Sequence, residues 1–327
     1  MAAAEKIKEL IKSYSEGDDE RFYAIAMQIA AMEARKGHTK VARDLKDAID
    51  RVKSKRKLSN VRNIIEHPVK PEFREIQDLI EVTEHKSGLE SMVLNPSVRT
   101  RLERIVQEQQ KREELRQYNL MPTRKILLTG PPGCGKTMTA EALASELAIP
   151  LFTIRLDGLI SRYMGETISK LKLIFDYMNT HRAVYLFDEF DSIGSHRHYG
   201  NDVGEIKRVL NSFLVYIEKD RSSSLIVAAT NMPEALDKAL HRRFDEFISY
   251  PLPGKDEIEK LLTKRLTGQK GITRQDIHKI ADLSIGLGFA DIARAVEDTI
   301  KERIISGREE LSFELLKVFI DRRKILT

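Results

Sequence analysis

At 327 residues the chain is long enough for two or three domains, and 41% hydrophobic with 32% charged residues is typical of a globular, soluble protein. No run of about 18 apolar residues is present, which argues against a membrane span. The single cysteine excludes an intramolecular disulfide, and the charged N-terminus lacks the apolar core of a secretory signal. We therefore expect a cytoplasmic protein. The net charge of +5 is only a weak pointer to an acidic partner.

The first segment, residues 1–53, has the apolar spacing of short amphipathic helices. We predict a small helical domain here that recruits a substrate or a separate effector protein. A basic, polar run, "KSKRKLSN", and two prolines, Pro68 and Pro71, follow it. This composition is typical of a connection, and we predict a linker over residues 54–87.

From residue 88 onwards, short and nearly continuous apolar runs alternate with helical patterns. Such runs are typical of parallel strands that are buried on both faces. The sequence therefore predicts an α/β core over residues 88–253, built on a parallel sheet. After "YPLPG" the apolar runs cease, and residues 254–327 are predicted to form a helical lid. The four predicted strands lie in "RKILLTG", "LFTIRL", "AVYLFDEF" and "SSLIVAATN".

The stretch "ILLTGPPGCGKTMTAEAL" is a strand, a glycine-rich turn and the start of a helix. It satisfies the Walker A pattern G-x-x-x-x-G-K-[ST], in which backbone N–H groups and a helix N-terminus surround phosphates. Its lysine can reach the β- and γ-phosphates, and its threonine hydroxyl can ligate Mg²⁺. We predict that the nucleotide contacts are Gly130, Pro131, Pro132, Gly133, Cys134, Gly135, Lys136, Thr137 and Met138.

Two adjacent carboxylates, Asp188 and Glu189, follow a strand in "AVYLFDEFDSI", where a Walker B motif would end. The carboxyl ends of parallel strands are the edge at which ligands bind. Asp188 is predicted to hold Mg²⁺ together with Thr137. Glu189 is predicted to polarise the attacking water as a general base. The sequence thus predicts a hydrolase of ATP or GTP.

Four motifs in this order and spacing resemble the AAA family of ATPases: "GPPGCGKT", "FDEFDSI", "AATNMPEALDKALHRRFDEFISYPLP" and "GLGFADI". The resemblance covers residues 88–327. It implies ATP as the nucleotide and a ring of usually six subunits. It also implies that Asn231 orients the attacking water and that Arg242 and Arg243 are arginine fingers, acting on a neighbour's ATP. Their adjacency is similar to katanin and spastin.

Two positions depart from the family pattern. Gly288 and Phe289 stand where relatives usually carry Ser-Gly, which places a bulky ring near the expected adenine edge. Cys134 stands where threonine is common, and we expect it to make the enzyme sensitive to thiol reagents.

The turn "LISRYMGET" joins a predicted strand to a predicted helix. In the family, this turn projects into the central channel with an aromatic residue, an aliphatic residue and a glycine. Tyr163, Met164 and Gly165 match that pattern. Aromatic and thioether side chains make contacts that tolerate many sequences, as a channel that holds any polypeptide requires.

The leading interpretation is therefore a ring-forming ATPase that remodels proteins, unfolding or disassembling a polypeptide by threading it through a central pore. The alternative is a regulatory or adaptor ATPase that assembles with a protease or nuclease and switches it. A nucleic-acid motor ranks lowest, because the basic run lacks the interleaved aromatic residues of a stacking platform.

Overall fold

The computed structural model describes residues 25–27, 29–30, 32, 76–83, 87–156, 164–190, 203–232 and 242–326. The chain divides into two compact units, Met1–Val69 and Lys70–Thr327. In the first unit the described residues are helical, and Ile25 and Ala30 are buried. The rest of the predicted N-terminal domain lies outside the described residues, so its boundaries stay predictions.

A six-stranded sheet forms the centre of the second unit. The strand order is β1-β3-β4-β5-β2-β6, and neighbouring strands are parallel except for the antiparallel pair β1–β3. The prediction of an α/β fold with a parallel sheet is confirmed. The strands are β1 (Ile80–Thr83), β2 (Lys125–Thr129), β3 (Leu151–Ile154), β4 (Val184–Phe187), β5 (Leu225–Thr230) and β6 (Glu246–Ser249).

Helices cover both faces of this sheet, which is why the central strands are apolar throughout. Every residue of β4 and β5 is buried. On one face, Phe175 and Phe213 pack against Phe187. On the other face, Leu102 and Leu143 belong to the same buried cluster as the alternate residues of the strands. The helices of the core are α1 (Pro96–Gln110), α2 (Arg112–Gln117), α3 (Lys136–Leu147), α4 (Met164–Thr180) and α5 (Val203–Lys219).

The four C-terminal helices form the lid, with a hydrophobic core of their own that includes Ile258, Ile292 and Leu316. A reciprocal cap starts the second of them: the Thr273 N–H donates to Asp276 Oδ2 at 2.9 Å, and the Asp276 N–H donates to Thr273 Oγ1 at 3.2 Å. Hydrogen bonds from the Thr273 side chain and backbone lower the pKa of Asp276. The lid helices are α6 (Lys255–Arg265), α7 (Arg274–Leu283), α8 (Phe289–Ile305) and α9 (Phe313–Leu326).

The topology gathers the predicted catalytic segments at one edge of the sheet. Strands β2, β4 and β5 are parallel neighbours, so their carboxyl ends lie side by side. The Walker A loop follows β2, the paired carboxylates follow β4, and Asn231 follows β5. The predicted arginine fingers precede β6 and therefore lie toward the opposite edge.

Candidate active site

The Walker A loop has a backbone that only glycine adopts readily. Gly130, Gly133 and Gly135 have φ values of 139°, 72° and 98°, in the region disfavoured for residues with a side chain. A Cβ atom on Gly130 would also lie 2.2 Å from the carbonyl oxygen of Tyr250. These three glycines therefore allow the loop to turn as tightly as it does.

Tyr250 supports the loop from behind and was not anticipated from the sequence. Its backbone N–H donates to the Thr129 carbonyl at 2.7 Å, and its hydroxyl lies 2.6 Å from Thr139 Oγ1 in a buried contact. Burial raises the pKa of Tyr250 to about 12, so the phenol stays protonated and available for this hydrogen bond. We infer that Tyr250 positions the loop.

The side chain of Lys136 extends back into the loop, where it is buried. Its ammonium group donates to the carbonyls of Gly130 at 2.7 Å and Pro131 at 2.8 Å, and to Asn231 Oδ1 at 2.7 Å. These contacts connect the loop after β2 directly with the residue after β5. The predicted phosphate-binding lysine and the predicted sensor asparagine are therefore neighbours.

Thr137 and Asp188 are brought together in the same way. The Thr137 hydroxyl donates to Asp188 Oδ2 at 2.6 Å, and the Glu189 N–H donates to Asp188 Oδ1 at 2.9 Å. A hydroxyl and a carboxylate side by side fit Mg²⁺, which takes one or two protein oxygens and completes its shell with phosphates and water. These two residues would hold the ion.

Glu189 has an unusual backbone for a residue with a side chain, with φ at 48°. Its neighbour Phe190 is buried and donates its N–H to the Ala229 carbonyl at 2.8 Å, which anchors the turn onto β5. Held in this turn, the Glu189 side chain is exposed at the edge of the sheet. Left-handed residues with a side chain cluster at functional sites, and this one directly follows the carboxylate predicted to hold Mg²⁺.

These side chains line one cavity of about 650 Å³ between the core and the lid. Most of the predicted nucleotide-binding residues line it, including Cys134 and Met138. Further residues complete its wall, among them Phe289, which the sequence placed near the adenine edge, and its neighbour Ala290 in the same motif. The motifs did not indicate the others, which come from the segment before α1 and from the lid: Ser87, Ser91, Met92, Val93, Leu261, Lys264, Arg265 and Ala293.

Cys134 is almost wholly buried behind the loop. Burial raises the pKa of its thiol, against the opposing effect of the Lys136 ammonium group. Because the thiolate is the reactive form, both facts oppose the sensitivity to thiol reagents expected from the sequence.

The two predicted arginine fingers do not line this cavity. The register pairs Thr129 of β2 with Ser249 of β6, so the length of β6, about 10 Å, separates the loop from the segment that holds the arginines. Arg242 is exposed, whereas Arg243 Nε donates to Glu218 Oε2 at 3.1 Å. The two arginines thus lie apart from the cavity of their own chain.

The predicted channel loop is described only in part. Tyr163 lies outside the described residues. Met164 is the first residue of α4, and Gly165 is exposed in the first turn of that helix. An added Cβ on Gly165 would meet nothing within 4 Å, so this glycine is not required by packing.

None of the helices in the part of the chain that the structure describes has the length and apolarity needed to cross a lipid bilayer.

Comparison with known proteins gives the family. Residues 126–252 match the ATPase family associated with various cellular activities, AAA. An uncharacterized AAA family ATPase of Sinorhizobium fredii, y4kL, is 34% identical over 311 residues, which cover 95% of this chain and 92% of that protein. The katanin p60 ATPase-containing subunit A1 of Strongylocentrotus purpuratus is 33% identical over 187 residues, which cover 54% of this chain and 36% of that subunit.

A crystal structure of the FIGL-1 AAA domain has the same fold, with a TM-score of 0.62 at 22% identity, and covers 79% of this chain and 90% of that domain. The site geometry, the match over residues 126–252 and the similarity to y4kL over nearly its whole length agree with one another. This chain belongs to the AAA family and is a nucleotide-binding enzyme that hydrolyses ATP.

Proposed function

We propose that this ATPase forms a six-membered ring that remodels other proteins by pulling a polypeptide through a central channel. The observation that carries the proposal is the separation of the two catalytic halves. Lys136 and Glu189 lie at one edge of the sheet, and Arg242 and Arg243 lie toward the other. A complete site then needs two subunits, and head-to-tail contacts of this kind close into rings.

Each residue of the site has a distinct role in hydrolysis. Lys136 binds the β- and γ-phosphates, and Thr137 with Asp188 holds Mg²⁺, which when bound neutralises charge on the phosphate oxygens. Glu189 accepts a proton from the attacking water. Asn231 contacts the lysine through its Oδ1 and orients the water through its amide group.

The arginines supply positive charge to the neighbour's site. Phosphoryl transfer spreads negative charge over the γ-phosphate oxygens, and an arginine provided in trans stabilises that charge. Arg242 is exposed and suited to cross the interface, while Glu218 holds Arg243 beside it.

In this proposal the channel loop responds to the nucleotide. Strand β3 ends at Ile154, at the edge of the sheet that carries the active site, and α4 begins at Met164. In the strand order β3 is next to β4, whose end bears Asp188 and Glu189. We propose that Tyr163 and Met164 grip the polypeptide and that Gly165 lets the loop move.

The proposal keeps the roles predicted for the four segments of the chain. Residues 1–53 recruit the substrate or an effector, and residues 54–87 link this domain to the ATPase. Residues 88–253 form the ATPase core, and residues 254–327 form the lid. Part of the connecting segment, Ile80–Thr83, also contributes the edge strand β1. Katanin-like and fidgetin-like relatives support a protein substrate.

Replacing Tyr163 with alanine tests the proposal. We expect Tyr163→Ala to keep its melting temperature and basal ATP turnover, and to lose stimulation of turnover by a permanently unfolded polypeptide such as reduced, carboxymethylated lactalbumin. An exposed side chain contributes little to stability, so folding should not change.

Tyr118→Ala is the matched control, because Tyr118 lies on the surface of the α/β domain with 76% of its area exposed and does not line the cavity. It should retain both activities. Full stimulation of Tyr163→Ala would contradict a threading role and favour the adaptor ATPase, and a large loss of thermal stability would make Tyr163 a structural residue.

A further inference from the structure

Polar and apolar side chains both line the nucleotide cavity. Lys136, Thr137 and the two carboxylates provide the groups that phosphates and a cation need. Apolar side chains from the segment before α1 and from the lid form another part of the lining: Met92, Val93, Leu261, Phe289 and Ala293. With the phosphates beside the first group, the apolar lining is the part of the cavity that suits a nucleobase.

The backbone around Phe289 is fixed against the Walker A loop. Ala290 donates its N–H to the Gly133 carbonyl at 3.0 Å. A Cβ atom on Gly288 would lie 2.9 Å from the Pro132 carbonyl oxygen, so position 288 admits no side chain at this distance. Phe289 therefore begins α8 directly beside the Walker A loop, with little freedom for its backbone to move away.

The ring of Phe289 has two environments. It is half-buried, packs against the hydrophobic core of the lid and also lines the nucleotide cavity. One part of the ring is thus held by the lid while another part faces the space left for the base. A rigid aromatic ring in this position can stack on a planar base at little entropic cost.

We infer that Phe289 is a specificity-determining residue that forms an aromatic wall for the nucleobase and favours purines over pyrimidines. The inference rests on the ATP site described above and goes beyond it, because it assigns a single ring a role in the choice of base. A purine presents a larger face than a pyrimidine, so stacking favours it.

The wall selects by ring size and not by the hydrogen-bonding edge of the base. Among the described residues that line the cavity, the only carboxylates are Asp188 and Glu189, which adjoin the Walker A threonine. The two cations that the lid contributes to the lining already have partners: Lys264 Nζ donates to the Ser91 carbonyl at 2.5 Å, and Arg265 pairs with Glu297 at 3.3 Å.

The test is calorimetric titration of three variants with three probes: ADP, CDP and inorganic tripolyphosphate. We expect Phe289→Ala to weaken ADP binding about tenfold, the loss typical of one base–aromatic stack, and to weaken CDP binding less. Tripolyphosphate has no base, so its affinity should not change. Phe289→Tyr should bind ADP as the unmodified protein does, and Phe289→Leu should lie between.

Two outcomes would overturn the inference. Unchanged ADP affinity in Phe289→Ala would show that the ring does not contact the base. An equal loss for ADP and tripolyphosphate would show that Phe289 acts by positioning the Walker A loop. Neither outcome bears on ring assembly or on the role of Tyr163, whereas failure of the unmodified protein to bind ADP would contradict the ATP site itself.

Discussion

Glu189 shows how a single residue can be placed for chemistry at a cost to stability. Its left-handed backbone costs about 1–3 kcal/mol in a residue with a side chain. The turn is nevertheless held, because Asp188 Oδ1 accepts its N–H and the buried Phe190 anchors the next residue to β5. The result is an exposed carboxylate directly after Asp188.

We predict that Glu189→Gln retains ATP affinity and loses at least about a hundredfold in turnover, the size of effect typical of a general base. The amide keeps the length of the side chain and its backbone conformation but cannot accept the proton from water. ATP affinity and steady-state turnover measured on the same preparation test this prediction.

Lys136→Ala is the contrasting variant. It removes the ammonium group that contacts Gly130, Pro131 and Asn231, so binding itself should be lost. Normal turnover in Glu189→Gln would exclude it as the base, and equal loss of binding in both variants would mean that Glu189 is structural.

Individual site residues could be predicted from the sequence where the chemistry requires a motif of fixed spacing. The Walker A residues and the paired carboxylates could be predicted, because phosphate binding demands a short contiguous motif after a strand. Met92, Val93 and Leu261 could not, because apolar residues that line a cavity have the same local pattern as apolar residues in a core. The burial of Cys134 was also missed, since exposure depends on what packs behind the loop.

At the scale of elements, a buried ion pair connects the start of β2 with the segment between α5 and β5. Arg124 pairs with Asp220 and also donates to the Ser222 carbonyl at 2.8 Å and the Asp220 carbonyl at 2.7 Å. Asp220 accepts in addition from the Ser222 N–H at 3.2 Å. Both charged side chains are almost fully shielded from water. Nearly all of their polar groups are thus satisfied inside the protein.

We predict that Asp220→Ala lowers the free energy of unfolding of the second unit by about 3–5 kcal/mol. This is the typical cost of removing one partner of a buried ion pair and leaving the other charge uncompensated. Chemical denaturation followed by circular dichroism measures the effect. Glu103→Gln is the control, because the Arg99–Glu103 pair lies on the surface at 3.5 Å. That change should cost no more than about 0.5 kcal/mol. Similar losses in the two variants would refute a special role for the buried pair.

The strands that are buried on both faces could be predicted from the sequence, whereas the less buried edge strands could not. The four central strands read as continuous apolar runs because both of their faces are covered. The edge strands β1 and β6 did not, since only one of the four residues in each of "IEVT" and "EFIS" is fully buried. β1 also lies within the predicted linker, where its pairing with β3 is a long-range contact that no local pattern reveals.

At the scale of the whole molecule, the sheet separates two groups of residues that must meet for catalysis in the proposed mechanism. The predicted nucleotide contacts are at the carboxyl ends of β2, β4 and β5, and the arginines are before β6. In the proposed ring, each active site then takes its carboxylate from one subunit and its arginine from the next.

We predict that two inactive variants recover activity when mixed. Glu189→Gln lacks the base, and the double variant Arg242→Ala/Arg243→Ala lacks the arginines, so each alone should turn over little ATP. In randomly mixed rings about a quarter of the interfaces would join an intact base to intact arginines, and turnover should recover to that extent. A coupled ATPase assay after mixing and reassembly measures it.

Mixing Glu189→Gln with Lys136→Ala is the control, because both lesions lie in the same half of the site and no interface becomes complete. Recovery in the control, or full activity of the arginine variant alone, would contradict a shared site.

The opposite placement of the two halves also has a genetic consequence. In the proposed ring, a copy damaged only at Glu189 silences the site it carries, and a copy damaged only at Arg242 and Arg243 silences the site next to it. A copy with both lesions silences two sites in every ring it enters. In a cell that makes two versions of this chain, such an allele would be the more dominant one, because either lesion by itself silences only one of the two sites to which that copy contributes.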